Sequence, residues 1–334
     1  MSRAALPWDR RVAVWDAAML AIRDVLRRGG MREVSTPCRV AAPAIEPYIE
    51  PVPAGARWLA TSPELAMKRL LCRGSGPIFQ LSHVFRGGEQ GERHSEEFHL
   101  LEWYRLGTDL EVLAGDVEAI VAAVFAAVGA EARVPRRWRR VGFFDVFAAT
   151  TGVQLRGDED AAGLAAAIAG DELHAEVFRD PLGPLAAADL EVRSFATWLA
   201  VYSVWSPRLD AWLRGQGGVH VVDFPAPLAA LAERADAGGR AVARRMESYV
   251  GDVELANGYR ELRDAAEQRR RFALVNRLRG AHDREALPID EDFLGDLARP
   301  GLPACTGIAL GVDRLIMLAC EAPSLWDISL ALPP

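Results

Sequence analysis

Four separated stretches of the 334-residue chain place arginine, carboxylate or aromatic side chains beside glycine, where strands would end. Arg86 closes an apolar run and is followed by Gly87, Gly88 and a polar loop carrying His94 and Ser95. Phe98, Leu100, Glu102 and Tyr104 then alternate, so on a strand they share one face, and that face has the composition of a binding surface. Glu254 and Glu261 flank Asn257-Gly258. If that pair bends the chain, a strand and the following helix bring both carboxylates together, and an all-oxygen site suits Mg²⁺. Gly307 to Arg314 reads as a strand entering a helix with an arginine in the first turn, a place where anions bind. Each motif also has a plainer reading: a surface ion pair for Arg86, unrelated surface acids for Glu254 and Glu261, and close packing for the glycines of 307–314.

A frame must hold these residues. Val12, Trp15, Met19, Ile22 and Leu26 recur at helical spacing and predict a long amphipathic helix from about Trp8 to Arg28, stopped by Gly29-Gly30. Arg32 to Thr36 reads as a short strand closed by Pro37, and Ala41 to Gly55 is too proline-rich to be regular. Thr61-Ser62-Pro63-Glu64 carries a hydroxyl cap, a proline suited to the first helical position and an early acid, predicting a helix to Arg73. Ile78–Arg86 and Glu97–Leu106 predict a hairpin with a long tip. Asp109 to Val128 is helical by spacing, and Val141 to Gly218 reads as mostly helical, alanine-rich and without chemistry. Val219–Phe224, Glu247–Ala256 and Cys305–Leu310 read as strands, with helices at about Glu261–Arg279 and Gly311–Cys320. Several strands with helices outside them, and no regular alternation, describe an α+β fold.

Taken together and in order, these segments resemble the three signature motifs of class II aminoacyl-tRNA synthetases, most closely the lysyl branch. The opening helix, strand and Thr36-Pro37 resemble motif 1. Phe85-Arg86, the loop with His94, and Glu97-Phe98 through Glu102-Trp103-Tyr104 resemble motif 2, and Gly307 to Arg314 resembles motif 3. The chain is more similar still to the lysyltransferases that modify elongation factor P, truncated paralogues of lysyl-tRNA synthetase. That likeness is carried by Thr61-Ser-Pro-Glu64, Met67-Lys-Arg-Leu-Leu71, Gly76-Pro-Ile-Phe-Gln80, Glu102-Trp-Tyr104, Glu254-Leu-Ala-Asn-Gly-Tyr259 and Gly311-Val-Asp-Arg-Leu315. It spans most of the chain except about 130 to 215. Two positions depart from motif 2: Gly88 stands where a glutamate is usual, with Glu89 beside it, and Ser95-Glu96 stands in place of Asn-Pro.

The resemblance implies a single catalytic domain over 1–334, an antiparallel sheet flanked by helices, with a mostly helical insertion at about 130–215 and a homodimer formed through motif 1. It implies ATP and Mg²⁺ as cofactors. Arg86, Arg314 and Glu254 would be catalytic, with Arg86 on the α-phosphate and Arg314 on the γ-phosphate beside His94. Gly87, Gly88, Ser95, Phe98, Leu255 and Gly311 complete the implied nucleotide site, Phe98 stacking on adenine. Glu254 and Glu261 would hold the metal. A lysine ammonium taken out of water needs acids around it, and Ser62, Pro63, Glu64, Glu102, Tyr104 and Glu261 are the implied substrate contacts. Ala309, where lysyl-tRNA synthetases have glycine, implies (R)-β-lysine over α-lysine, and elongation factor P as acceptor.

A net charge of −7 and a pI near 5.5 argue against a nucleic-acid backbone as the main partner. The motif-1-like helix also begins close to the first residue, so a tRNA-reading barrel is not expected. Arg136-Arg137-Trp138-Arg139-Arg140 and Arg269-Arg270-Arg271 read as solvated charge runs. Cys38, Cys72, Cys305 and Cys320 have no metal or redox spacing, which fits a reducing cytoplasm. The apolar run Ala119 to Ala130 is too short for a bilayer, and no signal peptide is expected. Lys68 is the only lysine and reads as a compositional habit. A catalytically silent paralogue and an adenylating enzyme with another acceptor are the competing readings.

Overall fold

The computed structural model describes residues 6–179, 185 and 189–330. Helix α1 (Trp8–Arg28) buries Val14, Trp15, Ala18, Ile22 and Leu26. Val12, expected on that stripe, is 56 % exposed. Arg11 takes the place in its turn, because its guanidinium donates to the carbonyls of Leu6, Trp326 and Ser329 and rotates the buried face toward them. Then follow β1 (Arg32–Glu33), β2 (Arg39–Val40), β3 (Pro53–Ala54), β4 (Arg57–Leu59), α2 (Glu64–Cys72), β5 (Ile78–Phe85), β6 (Glu97–Leu106) and α3 (Leu110–Ala127). Next come β7 (Trp138–Gly142), α4 (Phe143–Thr151), α5 (Ala161–Ile168), α6 (Glu172–Val177), α7 (Leu190–Leu213) and β8 (Gly218–Pro225). The chain continues through β9 (Arg234–Ala237), β10 (Arg240–Val250), β11 (Val253–Arg260), α8 (Ala265–Ala281), α9 (Glu291–Asp296), β12 (Cys305–Gly311) and α10 (Val312–Ala319).

Among the described residues nine strands form one sheet in the order β1-β5-β6-β12-β11-β10-β8-β7, with β9 paired to β10. All neighbours are antiparallel except the outer pairs β1 with β5 and β7 with β8. The fold is therefore α+β, and the expected antiparallel sheet has a parallel pair at each edge. Leu101 and Trp103 of β6 and Leu310 of β12 point into the core beneath α1, α3 and α10. The alternate residues of β6 face the other way, which leaves that side of the sheet for a site.

Two expectations fail at the centre of the sheet. Glu247 to Ala256 is not one strand but the end of β10, a turn at Gly251-Asp252 and the start of β11, the turn needing the left-handed Gly251 (φ 57°). Asn257-Gly258 is not a bend; both residues lie inside β11, where Gly258 lets the neighbouring strand close in, since a Cβ there would stand 2.9 Å from that of Ile308. The following helix starts at Ala265 rather than Glu261, because Asp264 caps the N–H groups of Ala266 and Glu267.

The described part of 130–215 is mostly helical, and it is not set apart from the main sheet. β7 is an edge strand of the main sheet, and α4 to α7 share a core with Val219, Val221, Phe224 and Val242 of β8 and β10. No helix among the described residues is long and apolar enough to cross a membrane.

Candidate active site

A cleft lies on the open face of the sheet, floored by Phe98, Leu100, Glu102 and Tyr104 of β6 and by residues of β11 and β12. Its two ends differ in charge. At one end Glu64, Glu102 and Glu261 gather around Lys68, which sequence reasoning had set aside. Lys68 is buried, with its ammonium 2.6 Å from Glu64 Oε1 and 2.6 Å from Glu261 Oε2. Burial opposes that charge, and the two carboxylates outweigh it, so the ammonium is held above its ordinary pKa. Ser62 Oγ donates to Glu102 Oε2 at 2.7 Å and receives the N–H of Glu64, the first residue of α2, at 3.0 Å, and it lines the cleft. Pro63 sits at the N-cap rather than at the first helical position and does not line the cleft. Tyr104 O–H donates to Glu102 Oε1. Burial, reinforced by the charge of Glu64, pushes the Glu102 carboxyl up to about 8. Burial also pushes Glu261 up to about 7, against the pull of Lys68.

Close packing holds this end together. A Cβ on Gly307 of β12 would run into the Tyr104 ring and the Glu261 carboxylate. Ala309 pairs with Glu102 across β12 and β6, which puts its methyl beside that carboxyl at the cleft wall.

At the other end stand Arg86, Arg93, His94, Ser95 and Arg314. Arg314 lies in the first turn of α10. It donates to Arg93 O, to Glu254 O and to His94 Nε2, the last at 2.8 Å. Burial and the charge of Arg314 depress the His94 pKa, so the neutral ring accepts this bond. Arg86 donates to Thr61 O and lies 5.1 Å from the centre of the Phe98 ring, with Glu89 at 3.8 Å. Phe98 therefore already has a cation over its ring, an arrangement not foreseen. Leu255 and Gly311 line the cleft; Gly87 and Gly88 do not, their N–H groups being taken by Glu50 O and Glu96 Oε1.

The expected convergence of Glu254 and Glu261 on one metal does not occur. Glu254 lies near the start of β11 and Glu261 just past its end, and at ~3.3 Å per strand residue seven steps put them well beyond sharing an ion. Glu261 is committed to Lys68. Glu254 instead feels Glu247: after burial, that charge is the largest influence raising its carboxyl to about 6. An extra residue, Leu255, opposite β10 turns Glu254 onto the cleft face with Asn257 and Tyr259. Glu247 is buried and accepts from Arg245, Tyr249 and, at 2.9 Å, Tyr202 of α7, so the segment read as chemically silent reaches the site. Sequence reasoning missed Glu247, Tyr202, Glu46 and Lys68. The i,i+4 spacing of Glu64 and Lys68 was a usable signal for one of them.

An arginine-lined end that gathers negative charge, facing an acid-lined end across one antiparallel sheet, defines an adenylate-forming synthetase core. The chain belongs to the class II tRNA synthetases (D, K and N), whose family model matches residues 9–332. It is 38% identical over 319 residues to a protein of Pectobacterium carotovorum subsp. carotovorum named elongation factor P-(R)-beta-lysine ligase, covering 92% of this chain and 90% of that protein. Proteins of the same name from Sodalis glossinidius and Erwinia tasmaniensis are 37% and 38% identical, over 92% and 93% of this chain and 90% and 91% of theirs.

Proposed function

We propose that this chain activates lysine, as its (R)-β isomer, with ATP and passes the acyl group from the adenylate to the ε-amine of a lysine on elongation factor P. The observation that carries the proposal is the polarity of the cleft. Attack of a carboxylate on the α-phosphate builds negative charge there and on the departing pyrophosphate, and positioned cations stabilise such a transition state. Arg86 is assigned to the α-phosphate, and Arg314, oriented by Glu254 and His94, to the far phosphates. Glu64, Glu102, Tyr104 and Glu261 are assigned to the amino acid, whose ammonium a set of buried carboxyls would pair. Lys68 holds Glu64 and Glu261 in place for it. The names of the relatives support lysine and elongation factor P as substrates.

A magnesium ion fits the nucleotide end. Among the described residues no group of three or more His, Cys, Asp or Glu could hold a metal. Mg²⁺ is usually bound through one or two carboxylates plus substrate phosphates, so Glu254, with Glu247 behind it, suffices. Its chemistry when bound is neutralisation of phosphate charge. A homodimer, a cytoplasmic location and no tRNA acceptor complete the proposal, and the net charge of −7 supports the last of these.

The test is intact mass of elongation factor P after incubation with the protein, ATP, Mg²⁺ and either α-lysine or (R)-β-lysine. A gain of one lysyl unit, greater with the β isomer, is expected. ATP–pyrophosphate exchange without any gain would move the search to another acceptor, and no exchange would leave a silent paralogue. Ala309→Gly should shift preference toward α-lysine by removing the methyl beside Glu102, and an unchanged ratio of the two isomers would discard Ala309 as selector.

A further inference from the structure

A second cavity, of about 520 Å³, adjoins the cleft and falls within the size range of ligand sites. Its walls are largely apolar, with Ile45 from the 41–52 loop, Leu199 from α7, Leu228 and Leu231 before β9, and Phe272 from α8. It shares Glu46, Asn257 and Tyr259 with the cleft, so these three residues form the passage between the two spaces. Four charged residues line the cavity, and three are committed. Arg271 bonds Glu267 and the carbonyls of Ala230 and Ala232, Arg245 bonds Glu247 and Asn257, and Arg234 bonds Ala226 O. Glu46 makes no hydrogen bond and no ion pair with any described residue.

Geometry places Glu46 at the junction. It lines the cleft together with Arg86 and Glu64 and lines the second cavity as well. Glu46 thus shares the cleft with the arginine assigned to the α-phosphate and an acid assigned to the amino acid, the space in which the acyl carbon joining the two would lie. We infer that the second cavity receives the alkyl-ammonium side chain of the acceptor lysine, and that Glu46 takes the proton from its ammonium so that the free amine attacks the activated acyl carbon. This rests on the acyl transfer proposed above.

The chemistry of the passage suits that occupant. Apolar walls take up a methylene stem while its charged head goes to the polar end. Glu46 is the carboxylate at that end. The ammonium N–H proton passes to Glu46, and the nitrogen lone pair forms the C–N bond. The bond from the acyl carbon to the phosphate oxygen breaks, and its electron pair leaves with AMP. The second nitrogen proton and that on Glu46 pass to water. Burial raises the carboxyl of Glu46 above its ordinary value, which brings it nearer the range useful for a base at neutral pH.

The test compares two acceptors of the same adenylate. Elongation factor P must thread a protonated lysine through the cavity. Hydroxylamine is small and already neutral near pH 7, so hydroxamate formation needs neither the cavity nor the base. Glu46→Gln should lower transfer to elongation factor P by about 10²-fold relative to hydroxamate formation, the lower range for a positioned base. Leu199→Trp, which fills the cavity, should lower the same ratio while Glu46 is intact. Equal falls in both reactions, or an unchanged ratio in both variants, overturn the inference while leaving acyl transfer standing. Wild-type protein that forms no hydroxamate from either (R)-β-lysine or α-lysine with ATP removes the adenylation reading, and this inference with it.

Discussion

Arg314 is held in a way that suits the phosphate role proposed for it. Its guanidinium is anchored through Nε to Arg93 O and through Nη1 to Glu254 O, and His94 accepts from Nη2 at the mouth of the cleft. A donor held this way needs no reorganisation when phosphate charge develops. Arg314→Ala should therefore slow adenylation by at least ~10²-fold, read by ATP–pyrophosphate exchange; an unchanged exchange rate would remove the role. Glu102 makes a prediction about pH. Its carboxyl is at about 8 in the folded chain against an ordinary 4.5, because burial and Glu64 disfavour its charge. Between those values the folded state holds a proton that the unfolded state has lost, so stability falls as pH rises from about 4.5 to 8. Glu102→Gln cannot titrate. Urea midpoints of the variant should decline less between pH 5 and 8 than those of the wild type, and parallel declines would show that Glu102 does not titrate in that window. At this scale the sequence was a fair guide to residue types and a poor guide to partners. Arg86, Arg314, Glu64 and Tyr104 were singled out, yet pairing Glu254 with Glu261 rested on proximity in the chain, whereas the partners, Glu247 and Lys68, come from other elements.

Elements carry these side chains through pleat and close approach. β6 presents Phe98, Leu100, Glu102 and Tyr104 to the cleft because alternate residues Leu101 and Trp103 are buried beneath the helices. That face was legible from alternation alone. The hairpin of β5 and β6 was legible as well, since both strands are long and their tip is polar. The β10–β11 turn was not, because Gly251-Asp252 interrupts an otherwise continuous strand pattern while the more conspicuous Asn257-Gly258 lies inside a strand. There glycine answers packing against β12 rather than turning the chain. Gly307 makes the same point with a consequence for binding. An added methyl would meet the Tyr104 ring and Glu261, so Gly307→Ala must push β12 from β6 or break the Tyr104–Glu102 contact. Overpacking of this kind costs about 1–3 kcal/mol. Because both displaced groups lie at the end assigned to the amino acid, KM for lysine in pyrophosphate exchange should rise about tenfold, the equivalent of ~1.4 kcal/mol, with KM for ATP little changed. Equal rises in both constants would place the damage in the whole sheet instead.

The main sheet carries more than one apolar core, and the described helices of 143–213 belong to a second one, distinct from that beneath α1, α3 and α10. Phe143, Phe147, Trp198 and Trp205 pack with Val219, Val221, Phe224, Val242 and Tyr249, which are sheet residues, and Tyr202 reaches from α7 to Glu247. An alanine-rich run without recognisable chemistry reads as detachable in the sequence, because contacts such as Phe143 with Phe224 and Tyr202 with Glu247 join residues far apart in the chain and leave no local mark. Removing the segment would expose those five sheet side chains at ~1.5–3 kcal/mol each, on the order of 10 kcal/mol in total. That is comparable with the ~5–15 kcal/mol by which whole domains are stable. The full chain should accordingly unfold in urea as one transition, seen alike by tryptophan fluorescence and far-UV circular dichroism. A chain with 143–213 replaced by a short linker should lack the fixed near-UV signal of packed aromatics and bind the dye ANS. If that shortened chain keeps a sharp transition and still exchanges pyrophosphate, the sheet and its cleft stand without the second core, and α4 to α7 are an appendage after all.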